Sequence, residues 1–540
     1  MIFGKQNCVA EWSYKSTQAY NDPFRDAQMM VVVTGPSGAK TQVPSFWAGD
    51  DNWTVRYASP EIGIHTFETV CSNPDDSGLH GKSGKITIVE YSGDNALLRS
   101  GPLRKSESGT YLEHQDGTPF YWMGDTWWMG LTTRLDWPAG FHALASDRVD
   151  KGFSVIQIVA GLYPDMDPFD DRGANEGGFP WSEDFGSINP KYFDMADLKM
   201  AALVDAGLVP CIVGCWGYFL DFAGEDVIRR HWEYLIARYA AYPVLWCLAG
   251  EATMPFYLNE EAKRGKGKQD YADRIRAGWT SLTRHVKSYD PFDRPITIHP
   301  TQNGHDMVDE PELLDLDMLQ TGHGSFLSLA PTVKQIREAV EREPRLPVIN
   351  SEVCYEGICG TSGPDVQRFL YWSCALSGTC GHTYGANGIW QLNSRAQPYG
   401  PSPHGATWGD TPWEEAYQLP SSRQVGLGAK LLRRYRWWEF AAHPEWLERH
   451  STDDDPFAPF AAGIPGEVRV FFFPNMGNFG WGEFVIKELE PGVQYKAFYF
   501  DPISGEENDQ GEAQADSEGC WKSGKVGKFQ DWVLVLEKSR

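Results

Sequence analysis

Two glutamates each follow a short apolar run. Val244–Leu248 leads through Ala249-Gly to Glu251, and Pro347-Val-Ile-Asn-Ser leads to Glu352, with Glu356 four residues on. A pair of carboxyl groups across one cleft is the equipment of glycoside cleavage. One protonates the leaving oxygen, and the other attacks the anomeric carbon or activates water. A separation of about 5–5.5 Å gives retention and about 6.5–9.5 Å gives inversion. The acid must stay protonated near neutral pH. Glu251, with Leu248 and Ala249 before it, is therefore expected to have its pKa raised by burial or a neighbouring anion. Surface acids are the usual case, so each glutamate also reads as a solvated loop acid, and Glu251 as an acid capping the next loop.

Other side chains occupy the same kind of position, just past an apolar run. They are Asp125, Trp127 and Trp128; Trp216 and Tyr218; His299; His323; Tyr355 and Glu356; and Tyr384, Asn387 and Trp390. The set is aromatic and carboxylate with little basic charge. It does not resemble a phosphate site, which wants a Gly-rich turn at a helix N-terminus. Asp125 is expected to bind a substrate hydroxyl, with a loop N-cap as the structural alternative. Tyr355 is expected either to modulate the nucleophile by hydrogen bonding or to be a packed loop aromatic. His299 and His323 could complete a metal site with Glu251 or Asp125. Such histidines more often bond a sugar hydroxyl or orient a carboxylate, so neither metal nor cofactor is assigned. Asp167, Asp170, Asp171 and Glu176 do not have EF-hand spacing and read as a solvated or lid loop.

These residues must be positioned by strands. From about 106 to 437 strand-like runs alternate with helical periods. The strands are Tyr121–Gly124, Ser154–Ala160, Val209–Gly214, Val244–Leu248, Ile296–Ile298, Met318–Thr321, the run opening at Pro347, and a last one near His382–Tyr384. Eight strand-helix steps in about 330 residues suit a (β/α)8 barrel, the TIM architecture of the α/β class, whose chemistry sits just past the strands. A doubly wound open sheet lacks support because no GxGxxG follows an early strand. Residues 1–105 show evenly spaced short strands without helical period, as a β-sandwich would. Residues 438–540 return to strands and read as a second, smaller sandwich.

Composition narrows the partners. The 540 residues carry a formal charge of −25, which argues against nucleic acid and anionic membrane surfaces. The 22 Trp, 23 Tyr and 28 Phe suit sugar-ring platforms or aromatic-rich β-domain cores. Ten cysteines show no zinc spacing, and several, such as Cys211 and Cys247, lie in apolar runs. Reduced thiols fit an intracellular protein. The N-terminus lacks the pattern of a signal peptide, and no segment is apolar enough to span a membrane. A cytoplasmic location is expected, or a secreted or periplasmic one if the N-terminus has been trimmed.

Four motifs resemble the apiosidase-like glycoside hydrolase family: Gly124-Asp-Thr-Trp-Trp128, Trp246-Cys-Leu-Ala-Gly-Glu251, Asn350-Ser-Glu-Val-Cys-Tyr-Glu-Gly357 and His382-Thr-Tyr-Gly-Ala-Asn-Gly-Ile-Trp390. The resemblance implies a (β/α)8 barrel with β-sandwiches alongside. The C-terminal one is similar to the type named for collagen binding, with Phe500-Asp-Pro-Ile-Ser-Gly505 at its turn. It also implies action on a terminal, furanosidic or related sugar of a plant-type polysaccharide side chain. The family's strand-four acid is often Asp, and its place is taken here by Glu251; its strand-seven carboxylate matches Glu352. The expectation is a retaining glycosidase with Glu251 as acid/base and Glu352 as nucleophile. A non-catalytic glycan-binding protein and a metal-dependent hydrolase remain as alternatives. Homo-oligomer formation is left open.

Overall fold

The computed structural model describes residues 2–477 and 483–539. Its centre is a parallel eight-stranded sheet curled into a near-closed barrel. We number its strands β1 (Trp122–Thr126), β2 (Val155–Val159), β3 (Val209–Val213), β4 (Leu245–Cys247), β5 (Ile296–Thr297), β6 (Asp317–Gln320), β7 (Val348–Glu352) and β8 (Gly381–Tyr384). Neighbouring ladders join consecutive strands and β8 to β1. The seam between β5 and β6 has no ladder. It is stitched instead by Asp315, whose backbone N–H donates to Ile296 O at 2.8 Å and whose carboxylate accepts from Ile296 N at 3.0 Å.

Around the barrel run α1 (Ala139–Lys151), α2 (Pro190–Asp205), α3 (Glu225–Tyr239), α4 (Gly265–Tyr289), α5 (Phe326–Val340), α6 (Pro364–Ala375) and α7 (Pro420–Leu432). The expected eight helical steps are corrected at the fifth. Between β5 and β6 the chain makes only two 3-10 turns, Gly304–Met307 and Pro311–Leu313. Pro300, Gly304 and Pro311 break any helical period there.

The N-terminal unit packs a five-stranded sheet against a three-stranded one, with Val31, Val33, Trp53, Val55, Ile86 and Ile88 between them. Arg56 ties it to the barrel through Asp197 of α2 at 2.6 Å and the carbonyl of Arg238 at 2.8 Å. The C-terminal unit is a six-stranded sheet with a two-stranded ribbon. Strand alternation gives it two apolar faces. Phe471, Phe473, Tyr495 and Leu534 form its own core, while Phe472, Phe500 and Val533 join the barrel's. Trp372 of α6 stacks on Phe472. Arg368 makes a two-pronged buried pair with Asp531, 2.7 Å at each prong. Among the described residues no helix is long and apolar enough to cross a membrane.

Candidate active site

Glu352 is the last residue of β7, and its ladder partner on β6 is Gln320, brought level by a bulge between Leu319 and Gln320. Glu251 lies four residues beyond β4 at φ +43°, a left-handed turn that ends the strand's direction abruptly. Gly250 before it is required by close approach: a Cβ there would lie 2.2 Å from the Trp216 ring. That contact lets the Trp216 indole N–H donate to Glu251 Oε2 at 3.1 Å.

The two carboxyls meet through one amide. Gln320 Nε2 donates to Glu251 Oε1 at 3.0 Å and to Glu352 Oε1 at 3.3 Å. Because both bonds leave one nitrogen, the two accepting oxygens lie no more than about 6.3 Å apart. His323 Nε2 lies 2.8 Å from Glu352 Oε1, and His299 Nε2 lies 3.1 Å from Glu352 Oε2.

The electrostatics of the pair diverge. Burial raises the pKa of Glu251, the negative charge of Glu352 raises it further, and the donors Gln320 and Trp216 only partly oppose this. Burial acts on Glu352 in the same sense, but hydrogen bonds and charge from His299 and His323 overcome it and hold the carboxyl at about 2. The same bond raises His323 against the lowering effect of burial. The proton is thus biased toward Glu251 and the ionised state toward Glu352, opposite directions of the kind that acid catalysis beside a nucleophile uses.

A cavity of about 250 Å³ opens over the pair. Trp128, Trp216, Glu251, His323, Glu352, Tyr355 and Trp390, all singled out in the sequence, line it. The Tyr355 hydroxyl accepts from Trp128 Nε1 at 2.9 Å, and its ring stacks between His323 and Trp390. His299 is fully buried behind Glu352, edge-on to Trp128.

Six residues expected to bind substrate do not line the cavity: His299, behind Glu352, and Asp125, Trp127, Glu356, Tyr384 and Asn387. Asp125 is fully buried; its Oδ2 accepts from Arg148 Nε of α1 at 2.6 Å and from Trp127 Nε1 at 2.9 Å. Trp127 packs edge-on against Phe141, also of α1. Tyr384 donates to Glu356 Oε2 at 2.6 Å, and Glu356 also accepts from the backbone of Ser421. Arg148 lies over the Tyr384 ring. These four residues sit between the strands and the helix layer, because successive strand residues point to opposite faces. Asn387 is buried beside Gly409. The expectation that they bind substrate is corrected: they brace the barrel wall.

Sequence reasoning missed Gln320, and it missed Asp165, Met254, Tyr257, Ile358, His404 and Trp408, which complete the cavity wall. Gln320 closes an apolar run, a signal that was available. The others stand on long loops and carry none. Both histidines are turned on Glu352. Among the described residues no group of three or more His, Cys, Asp or Glu is placed to hold a metal ion.

Comparison with known proteins agrees with this architecture. A glycoside hydrolase family 5 structure from Bacteroides vulgatus ATCC 8482 is 21% identical, covers 82% of this chain and 93% of its own, and superposes with a TM-score of 0.66. A second protein from that organism, assigned as a glycoside hydrolase, is 18% identical over 100% of both chains with a TM-score of 0.70. At these identities the likeness is one of fold. No curated protein matches the sequence. Residues 6–72 match a domain of unknown function, DUF5060. The family model described as "Apiosidase-like, catalytic domain" matches residues 106–439, more than half of the sequence. The chain belongs to the apiosidase-like family and is a glycoside hydrolase.

Proposed function

We propose that the enzyme removes a terminal sugar with retention of configuration, with Glu352 as nucleophile and Glu251 as general acid/base. The observation that carries this is the single Gln320 amide spanning both carboxylates. An opening of at most about 6.3 Å falls below the range of about 6.5–9.5 Å that holds a water between carboxylate and anomeric carbon, and so favours a covalent mechanism. In the first step Glu352 attacks the anomeric carbon while the proton of Glu251 passes to the departing oxygen. In the second, the Glu251 carboxylate takes a proton from water, which displaces Glu352 and restores both groups.

The cavity, about 250 Å³, falls just below the ~300–1,000 Å³ of drug-sized sites. That supports a single sugar bound end-on rather than a chain threaded through. Family membership supports a furanosidic or related sugar on a plant-type polysaccharide side chain. The experiment is a panel of aryl glycosides, furanosides included, assayed with the wild type, Glu251→Gln and Glu352→Gln. Near-normal turnover by both variants on a cleaved glycoside would refute the assignment.

A further inference from the structure

Asp165 lies on the loop after β2 and lines the same cavity as Glu251 and Glu352. It is 2% exposed, and among the described residues neither of its carboxylate oxygens has a partner at full hydrogen-bond geometry; the Ser402 hydroxyl and the Trp408 indole stand near enough only to offset in part the burial that raises its pKa. The other two carboxylates of the cavity are engaged, Glu251 by Trp216 and Gln320, and Glu352 through Oε1 by His323 and Gln320. A buried carboxylate short of donors is destabilising unless something supplies them.

The backbone around Asp165 is nonetheless fixed. Its φ is +60°, which aspartate tolerates better than most residues. The carbonyls of the two preceding residues are both held: Tyr163 O accepts from the Tyr218 hydroxyl at 2.9 Å, and Pro164 O from the Tyr399 hydroxyl at 3.3 Å. Arg172 in turn donates to the carbonyl of Tyr399 at 3.1 Å and pairs with Asp170 at 2.8 Å. Much hydrogen bonding holds one side chain in place, and that side chain is left without a full partner. Such support around an unsatisfied group is the arrangement of a preorganised ligand contact.

We infer that Asp165 is a sugar-binding, specificity-determining residue whose two oxygens accept hydrogen bonds from two hydroxyls of a neutral sugar in the cavity. The inference rests on the hydrolase reading above. An ionised carboxylate has lone pairs on both oxygens and no donor, so it complements a pair of hydroxyls. The Tyr257 and Trp408 rings beside it offer apolar faces to the C–H side of such a sugar. Asp165 together with the ionised Glu352 also disfavours a sugar that itself carries a carboxylate.

Tryptophan fluorescence can read binding without turnover, because Trp128, Trp216, Trp390 and Trp408 line the cavity. The wild type, Asp165→Asn and Glu352→Gln are titrated with free neutral pentoses and hexoses and with glucuronate and galacturonate. KM and kcat are measured on aryl glycosides of the same sugars. The sugar that perturbs the wild type should bind Asp165→Asn about tenfold or more weakly, the scale of a hydrogen bond to a charged group. KM should rise more than kcat falls, and uronates should bind more weakly than their neutral parents. The thermal midpoint of Asp165→Asn should hold or rise, because the burial cost of the carboxylate has been removed.

Binding by Asp165→Asn within twofold of the wild type overturns the inference. So does weaker binding together with a lowered midpoint in both Asp165→Asn and Asp165→Gly, which would mark a structural role. A wild type that binds no sugar of the panel overturns it as well. Full turnover by Glu352→Gln removes the hydrolase assignment while the binding titration still decides Asp165. An inactive Glu352→Gln beside an unaffected Asp165→Asn removes the Asp165 role alone.

Discussion

Replacing His323 with phenylalanine isolates one of the two contacts that keep Glu352 ionised. The ring stack on Tyr355, 4.8 Å between centroids at 28°, is available to phenylalanine, whereas the donor 2.8 Å from Glu352 Oε1 is lost. The carboxyl is held at about 2 against an ordinary value of 4.5. At ~1.36 kcal/mol for each pH unit that gap is about 3 kcal/mol, and burial opposes it, so the two histidines together supply more. One hydrogen bond to a charged group is worth about 1.5–3 kcal/mol. His323→Phe should therefore return the carboxyl at least halfway to its ordinary value. The sign follows from the nucleophile being active when ionised: kcat/KM holds above the pKa of Glu352 and falls as pH drops through it. The wild type should stay flat to about pH 3, and the variant should lose rate between about pH 5 and pH 3. Glu352's depressed pKa also stabilises the fold, fully above its ordinary value and less as pH falls toward about 2. Samples held at each pH must therefore regain full rate on return to neutral pH. Acid limbs that superimpose for the two proteins between about pH 5 and pH 3 would refute the reasoning.

Glu251→Gln should cost about 10²–10⁴ in kcat on glycosides with poor leaving groups and far less on nitrophenyl glycosides, which depart without a proton. Because burial and Glu352 raise the pKa of Glu251, wild-type activity should fall as pH rises through it, and a pH–rate series on the variant should lack that alkaline limb. Asp125→Asn should lower stability by about 1.5–3 kcal/mol, measured by denaturant unfolding, because Arg148 loses the fully buried one of its two carboxylate partners and keeps only Asp147. If instead it raised KM with stability intact, Asp125 would be a substrate ligand. Exhaustive chelation should leave turnover unchanged, and activity restored only by added metal would overturn the roles given to His299 and His323.

The barrel was legible because its strands are short apolar runs separated by helical periods, and because catalytic side chains gather past strand ends. That rule singled out Glu251 and Glu352, 101 positions apart, which line one cavity. It over-reached at Asp125, Trp127, Glu356 and Tyr384. β1 and β8 are buried on both faces, so their hydropathy does not alternate and cannot say which residues face the barrel axis. The missing helix between β5 and β6 had a visible cause in Pro300, Gly304 and Pro311.

The amino-acid sequence on its own determined the architecture and the two carboxylates, since both depend on local patterns of apolar and acidic residues. Tertiary structure decided the rest. The bulge beside Gln320 places one amide between two acids. Opposite pKa directions for two glutamates follow from burial and the charge of Glu352 acting on Glu251, and from contacts near 3 Å of His299 and His323 with Glu352. The under-partnered carboxylate of Asp165 shares its cavity with His404 and Trp408, more than two hundred residues along the chain. Such properties arise from distances in space between residues remote in the polymer, and no pattern along the chain encodes them.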